Sequence, residues 1–423
     1  MSDPATEDPQ ISITQIDVDL DVQEILLAAS QHDIPKLRRL VRTQSALPDA
    51  SNVKDPETGY SPLHAAIAAC EPETDDRANG VNGAPETHSI DADTLKSGVD
   101  TVKFLLQEGA IWNDLDNNDE TPGCLARRIG APDLYELLVD AGVRAEMLLN
   151  RLDAYEELSD EEEEEEATEE KAEDETENAP ELVDASAEQQ QHQATSAAQT
   201  PANPDVSNNR YLDSNLNITQ DRILDSDQNG VMMRWESDIM RKSAQALLPR
   251  PGLKVLNIGH GMGIVDGFFQ EQGPAEHHII EAHADVAAEM KRRGWDSKPG
   301  VVIHEGRWQD ILPGLVGEGV TFDAIYYDTF AESYGDFRDF FSEQVIGLLE
   351  QDGKWGFFNG MGADRQISYD VYQKVAEMDL FEAGFDVEWE DIAVPKLEGE
   401  WQGVRRAYWV VDNYRLPLCR FMD

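Results

Sequence analysis

One short stretch limits the folds open to this chain more than any other: Gly259-His260-Gly261-Met262-Gly263, directly behind the apolar run Leu253-Lys254-Val255-Leu256-Asn257-Ile258. A leucine-rich, β-branched run ending in closely spaced glycines reads as a buried strand that breaks into a tight turn and then a helix. Glycines there let backbone come closer to a ligand than any Cβ permits, at the C-terminal edge of an α/β sheet where ligands bind. Eighteen residues after Gly263, a second apolar run, His278-Ile279-Ile280, ends in Glu281. An acid near that distance suits the hydroxyls of a nucleotide ribose. Glycine turns are common, so the loop alone is weak; loop and acid together point to a nucleotide site.

A chain of 423 residues has room for two or three domains, each with its own core. Its formal charge of -51 is concentrated: between Glu156 and Glu181 sixteen acids face one base, Lys171. Such a chain repels nucleic-acid phosphates and anionic lipid, so the expected partner is a basic protein, with no direct nucleic acid and no membrane. Cys70, Cys124 and Cys419 are isolated and odd in number, which offers neither a disulfide framework nor a zinc spacing. No metal is expected. Met1 to Gln10 lacks the apolar core of a signal peptide, and no run reaches the length of a membrane helix. The expectation is a soluble intracellular protein; a monomer is assumed, since composition leaves the oligomeric state open.

Three segments follow. Residues 158–209 are acid-rich, then rich in Gln, Ala, Ser, Asn and Pro, and read as a disordered linker. Residues 1–157 carry an internal echo. Leu105-Leu106-Gln107-Glu108-Gly109-Ala110 returns 32 residues later as Leu137-Leu138-Val139-Asp140-Ala141-Gly142. Ser61-Pro62-Leu63-His64-Ala65-Ala66 returns weakly at Thr121 to Ala126, and a polar insertion at about 71–94 explains the longer spacing. A period in the low thirties with a Ser/Thr-Pro-Leu-His turn resembles ankyrin repeats, which implies an all-α, protein-binding domain. His64 then reads as a turn hydrogen-bonder rather than a ligand.

Residues 210–423 alternate strand and helix. Expected strands are Lys254–Ile258, His278–Glu281, Val301–Glu305, Phe322–Tyr327, Lys354–Phe358, Val387–Ala393 and Ala407–Val411, with helices such as Asp285–Arg293 and Phe337–Glu350 between them. That alternation implies a mostly parallel sheet, and the last two strands an antiparallel pair at its edge. This seven-stranded, Rossmann-like α/β arrangement suits an S-adenosylmethionine-dependent methyltransferase better than a nicotinamide enzyme. The loop His260-Gly261-Met262-Gly263-Ile264-Val265 would then wrap the amino-acid half of the cofactor, and Glu281 would hold the ribose. Trp308 is either an adenine-stacking or a structural residue. Asp328, ending the fourth of these strands, is a catalytic candidate or a plain turn acid. The segment Val231-Met232-Met233-Arg234-Trp235-Glu236, with Met240 behind it, reads equally as core or as a lid presenting a carboxylate.

Those segments, with Ile279-Ile280-Glu281, Gly306-Arg307-Trp308 and Tyr327-Asp328-Thr329, occur in the order and near the spacing found in guanidinoacetate methyltransferase. The likeness runs from about Tyr211 to the C-terminus. With an ankyrin-like region and an acidic linker ahead of it, the chain resembles the fungal (type IV) protein arginine N-methyltransferases that modify the internal δ-nitrogen of arginine. The resemblance implies S-adenosylmethionine contacts at Tyr211, Met240, His260 to Val265, Glu281, Ala282, His283, Trp308, Gln309 and Asp328. His260 and His283 depart from the residue types of guanidinoacetate methyltransferase, which leaves their contacts to backbone. It also implies a ribosomal protein of the large subunit as substrate, and a location in cytoplasm and nucleus. Glu236 and Asp328 would clamp the guanidinium fork and aim one nitrogen at the methyl. Rival readings are a small-molecule guanidino methyltransferase and a non-catalytic ankyrin scaffold; intact Glu236 and Asp328 argue against the second.

Overall fold

The structure is a computed structural model describing residues 13–44, 47, 49–72, 90–170 and 207–422. Most of the expected insertion (73–89) and of the expected linker (171–206) therefore lie outside the described residues. The chain forms two compact units, Met1–Ala145 and Glu146–Asp423.

The first unit is helical. Short helices Pro62–Ala68 and Pro122–Arg128 each precede a longer one, Ala92–Gln107 and Pro132–Glu170. Each short helix starts with proline, whose missing N–H is harmless in the first turn. Ser61 and Thr121 cap them, accepting from the backbone N–H of His64 at 3.5 Å and of Cys124 at 3.2 Å. Both turns pass through the left-handed region two residues before the cap, at Gly59 (φ 73°) and Asp119 (φ 59°). His64 Nε2 lies 3.1 Å from the Glu120 carbonyl, so this buried histidine ties one turn to the next. The last helix runs on to Glu170, so 158–170 are helical where irregular chain was expected; glutamate is a good helix former.

The second unit opens with a small antiparallel sheet, β1 (Asn217–Ile218), β2 (Arg222–Leu224) and β3 (Gly230–Met233), absent from the sequence-based expectation. A seven-stranded sheet follows, made of β4 (Lys254–Ile258), β5 (Glu276–Glu281), β6 (Val301–Glu305), β7 (Phe322–Tyr327), β8 (Leu349–Phe357), β9 (Phe385–Ala393) and β10 (Asn413–Phe421). Their order is β6-β5-β4-β7-β8-β10-β9. Strands β4 to β8 pair in parallel, and β10 lies antiparallel between β8 and β9. The expected strand at 407–411 is a loop: Trp409 is buried and donates Nε1–H to the Val411 carbonyl at 2.7 Å. The true last strand starts at Asn413 and contains Pro417, a residue that argues against a strand in sequence.

The chain leaves β4 sideways to β5 and β6, then returns to β4's other flank as β7. Such a reversal opens a crevice beyond the carboxyl ends of β4 and β7. Helices Ser237–Leu247 and Ile264–Gln272 close one face of the sheet, burying Met240, Val265 and Phe269 against Val255, Ala324 and Tyr326. On β7 and β8 the packing is aromatic, with Phe341 stacked on Trp355 at 5.9 Å.

Candidate active site at the carboxyl edge of the sheet

Glu281 ends β5, and its carboxylate gathers backbone donors. Oε2 accepts from His260 N–H at 2.9 Å and Gly261 N–H at 3.3 Å; Oε1 accepts from His283 N–H at 2.7 Å. The acid therefore holds the glycine loop in place. At Gly259 (φ 90°) a Cβ would fall 1.9 Å from the Asp328 carbonyl oxygen, so only glycine lets β4 and β7 converge there. At Gly261 a Cβ would stand 2.8 Å from the Met232 thioether.

Tyr211, Gly261, Glu281, Ala282, Trp308 and Asp328 line one cavity at this edge. The structure does not bring Met240, His260, Met262, Gly263, Ile264, Val265, His283 or Gln309 to its wall. Met240 and Val265 are core residues. The His260 ring turns under the loop, its Nδ1 2.6 Å from Asp266 Oδ2, while His277 Nε2 reaches Asp266 Oδ1 at 2.9 Å. His283 caps the next helix, accepting Asp285 N–H at Nδ1, and packs on Tyr211. Gln309 Oε1 is buried without a partner.

A second cavity, about 870 Å³, shares Asp328 with the first. Here stand Glu236 and Tyr408, whose hydroxyl donates to Glu236 Oε1. Met233 N–H also donates to that oxygen, at 3.4 Å. The lid-or-core question at this segment has a mixed answer. Met233 and Glu236 are buried, Met232 lines the first cavity, and Arg234 points to solvent. Burial raises the Glu236 carboxyl well above its usual range, and nearby Asp328 adds to the rise. Asp328 is pushed up to about 7 by burial and by the charges of Asp266 and Glu281. Its Oδ2 is buried with no hydrogen-bond partner among the described residues. Two buried like charges resist ionisation until a cation joins them.

Residues 209–398 match the guanidinoacetate N-methyltransferase family model. The chain is 70% identical over 415 residues to protein arginine N-methyltransferase 2 of Aspergillus fumigatus, which covers 96% of this chain and 97% of that one. The Aspergillus oryzae protein of the same name is 69% identical over the full length of both chains, and that of Neurospora crassa 47% identical over 95% of this chain and 96% of its own. The chain belongs to the protein arginine N-methyltransferase 2 family.

Family membership brings S-adenosylmethionine, and the first cavity of this family member fits it. Gly259 and Gly261 bring bare backbone to the cavity, Ile280 and Val231 add apolar wall, and a buried acid, Glu281, and the Trp308 indole both line it. Sequence reasoning missed Asn208, Phe330, Glu332 and Tyr408 as lining residues. None sits in a glycine-loop or strand-end pattern. Tyr408 in particular arrives from the loop between β9 and β10, 172 residues from Glu236.

Proposed function

We propose that this protein methylates the δ-nitrogen of an arginine side chain in a basic protein, a ribosomal protein of the large subunit, at the cavity between Glu236 and Asp328. S-adenosylmethionine-dependent protein-arginine N-methylation itself comes with family membership.

One observation carries the choice of a protein substrate over a small guanidino acid. The second cavity presents three carboxyl groups, Glu236, Asp328 and Glu332, and no Lys, Arg or His among its described lining residues. The carboxylate of a small guanidino acid would face those acids with no cation opposite. An arginine side chain brings only a cation on an apolar stem. Phe330, Phe337, Phe357 and Phe358 supply walls for the stem and ring faces for the charge. The δ-nitrogen lies inside the side chain, so an apolar wall around the stem supports methylation there.

The cofactor supplies an electrophilic methyl carried on sulfonium. Glu236 and Asp328 grip the fork-shaped guanidinium, drawing its positive charge toward two nitrogens and leaving the third aimed across Asp328 at the first cavity. Transfer would form a carbon–nitrogen bond as the methyl carbon–sulfur bond breaks, its electron pair staying on sulfur to leave a neutral thioether, and would release one proton from that nitrogen. Asp328, shared by both cavities, is placed to take it. Glu281 keeps one lone-pair site free beside its three backbone bonds, enough for a ribose hydroxyl. Trp308 offers its ring to the adenine.

The first unit supports an ankyrin-like reading through its proline-opened helix pairs, and such a stack would bind the substrate protein. The net charge of -51 favours a basic partner, in cytoplasm and nucleus alike. The test is to incubate the enzyme with methyl-labelled S-adenosylmethionine and a lysate of cells lacking it. Label in a protein band that yields δ-methylarginine on acid hydrolysis is expected. Label in small molecules alone overturns the protein substrate, and terminal-nitrogen methylarginine overturns the δ assignment.

A further inference from the structure

Glu332 is the acid of the site that methyl transfer leaves without a task. It lies four residues beyond Asp328 and lines both cavities. Asp328 has a free oxygen, but both oxygens of Glu332 are engaged. Oε1 accepts from Trp308 Nε1–H at 2.9 Å and Gln309 Nε2 at 3.5 Å, and Oε2 accepts from the Tyr327 hydroxyl. A guanidinium would have to displace these donors to reach it.

The backbone is bent to bring this residue back. Ala331 has φ 62°, a left-handed conformation that non-glycine residues seldom adopt and that tends to persist where surroundings enforce it. The turn swings Glu332 over the end of β7 instead of into solvent.

The two ring donors line different cavities although their rings meet edge to face, with centroids 6.4 Å apart. Trp308 and Gln309 open the helix Trp308–Gly317, and Trp308 lines only the first cavity. Tyr327 ends β7 and lines only the second, its ring stacked on Phe340 at 4.4 Å and packed near Phe337, another wall residue. Glu332 thus adds a polar tie, directed at the indole N–H and the phenol O–H, between a wall of the cofactor cavity and a wall of the acceptor cavity that otherwise meet through ring contacts.

We propose that Glu332 is a latch: by holding Trp308 to Tyr327 it sets the partition between the two cavities, so that filling one shapes the other. It is a positioning residue that meets neither the methyl nor the guanidinium. The inference rests on the reading of the second cavity as the acceptor site.

The test uses the full-length protein, calorimetric binding of S-adenosylmethionine, and steady-state methylation of the peptide (Gly-Arg-Gly)3 and of the acceptor band from the lysate. Three variants are compared: Glu332→Ala, Trp308→Phe and Tyr327→Phe. A latch makes effects cross over. Trp308→Phe raises the acceptor KM although Trp308 stands in the cofactor cavity, and Tyr327→Phe weakens S-adenosylmethionine although Tyr327 stands in the other, each by about five- to tenfold, the scale of a coupled pair of sites. Glu332→Ala does both at once, and Glu332→Gln, which keeps an acceptor for the indole, recovers much of the loss. If Trp308→Phe moves only cofactor binding and Tyr327→Phe only the acceptor KM, the latch is overturned. A fall in kcat at Glu332→Gln with both binding constants intact also overturns it, making Glu332 a proton acceptor. A wild type that binds S-adenosylmethionine yet methylates neither peptide nor protein would sink the acceptor reading instead; the effect of Tyr327→Phe on cofactor binding still decides the latch.

Discussion

The backbone N–H of His260 donates to Glu281 Oε2 at 2.9 Å, joining the turn after β4 to the end of β5 across 21 residues of chain. With the bonds from Gly261 and His283, this makes Glu281 a support for the glycine loop in addition to the ribose role proposed for it. Glu281→Ala should therefore do two things. Calorimetry should show S-adenosylmethionine binding weakened at least tenfold. Thermal unfolding without cofactor should show a loss of about 1–3 kcal/mol, because buried donors lose their acceptor. Unchanged apo stability would leave Glu281 with the ribose role alone.

Asp328→Asn should remove most turnover, by about 10²–10⁴-fold as for loss of an acid–base group, while cofactor binding persists. The same change should stabilise the apo protein near neutral pH. The raised carboxyl favours the neutral form, so ionising it in the fold is unfavourable above its unfolded value. With some solvent reaching the cavity, a gain of about 1–2 kcal/mol by denaturant melting is expected. A destabilised Asn variant would contradict a strained acid at this position.

The pH dependence has a definite sign. A clamp acid pushed up to about 7 is protonated, and useless to a guanidinium, below that pH. Arginine itself stays charged throughout. The kcat/KM profile, which reports the free enzyme, should fall as pH drops through about 7, with the coupled pair Glu236 and Asp328 setting the apparent midpoint together. A flat profile between about pH 5.5 and 8 would exclude Asp328 as the titrating group.

Tyr408→Phe removes the hydroxyl that donates to Glu236 Oε1. That bond favours the ionised acid, so its loss should raise the Glu236 carboxyl further and weaken the grip on the guanidinium. The acceptor KM should rise about tenfold, with S-adenosylmethionine affinity unchanged because Tyr408 lines only the second cavity. A drop in cofactor affinity of the same size would mean the mutation disturbs the whole edge.

Acid stability should depend on Asp266. Burial alone would push this carboxyl up, but His260 and His277 outweigh it and hold it down to about 2. A depressed acid contributes stability that is complete above its unfolded value near 3.8 and disappears as pH falls toward 2. Asp266→Asn should cost about 2 kcal/mol at neutral pH and flatten the stability curve between pH 4 and 2. An equally steep acid limb in the variant would show that other carboxylates govern it.

The amino-acid order alone determined the parallel α/β domain, the glycine turn behind Ile258 and the acids at Glu281 and Asp328. Local patterns carry those features: strand runs ending in glycine or acid keep their meaning wherever the strand is placed. It misplaced the last strand, because Pro417 broke the pattern and buried Trp409 imitated one. It left any cofactor contact of His260 to backbone and gave no destination for the ring, which turns under the loop to a carboxylate six residues on. Tertiary structure alone decided which side chains share a cavity. Tyr408 meets Glu236, and Glu332 meets Trp308, only because β10 enters between β8 and β9 and a left-handed turn at Ala331 doubles the chain back. Periodicity reports which face of an element is buried, but it carries no record of which distant element buries it.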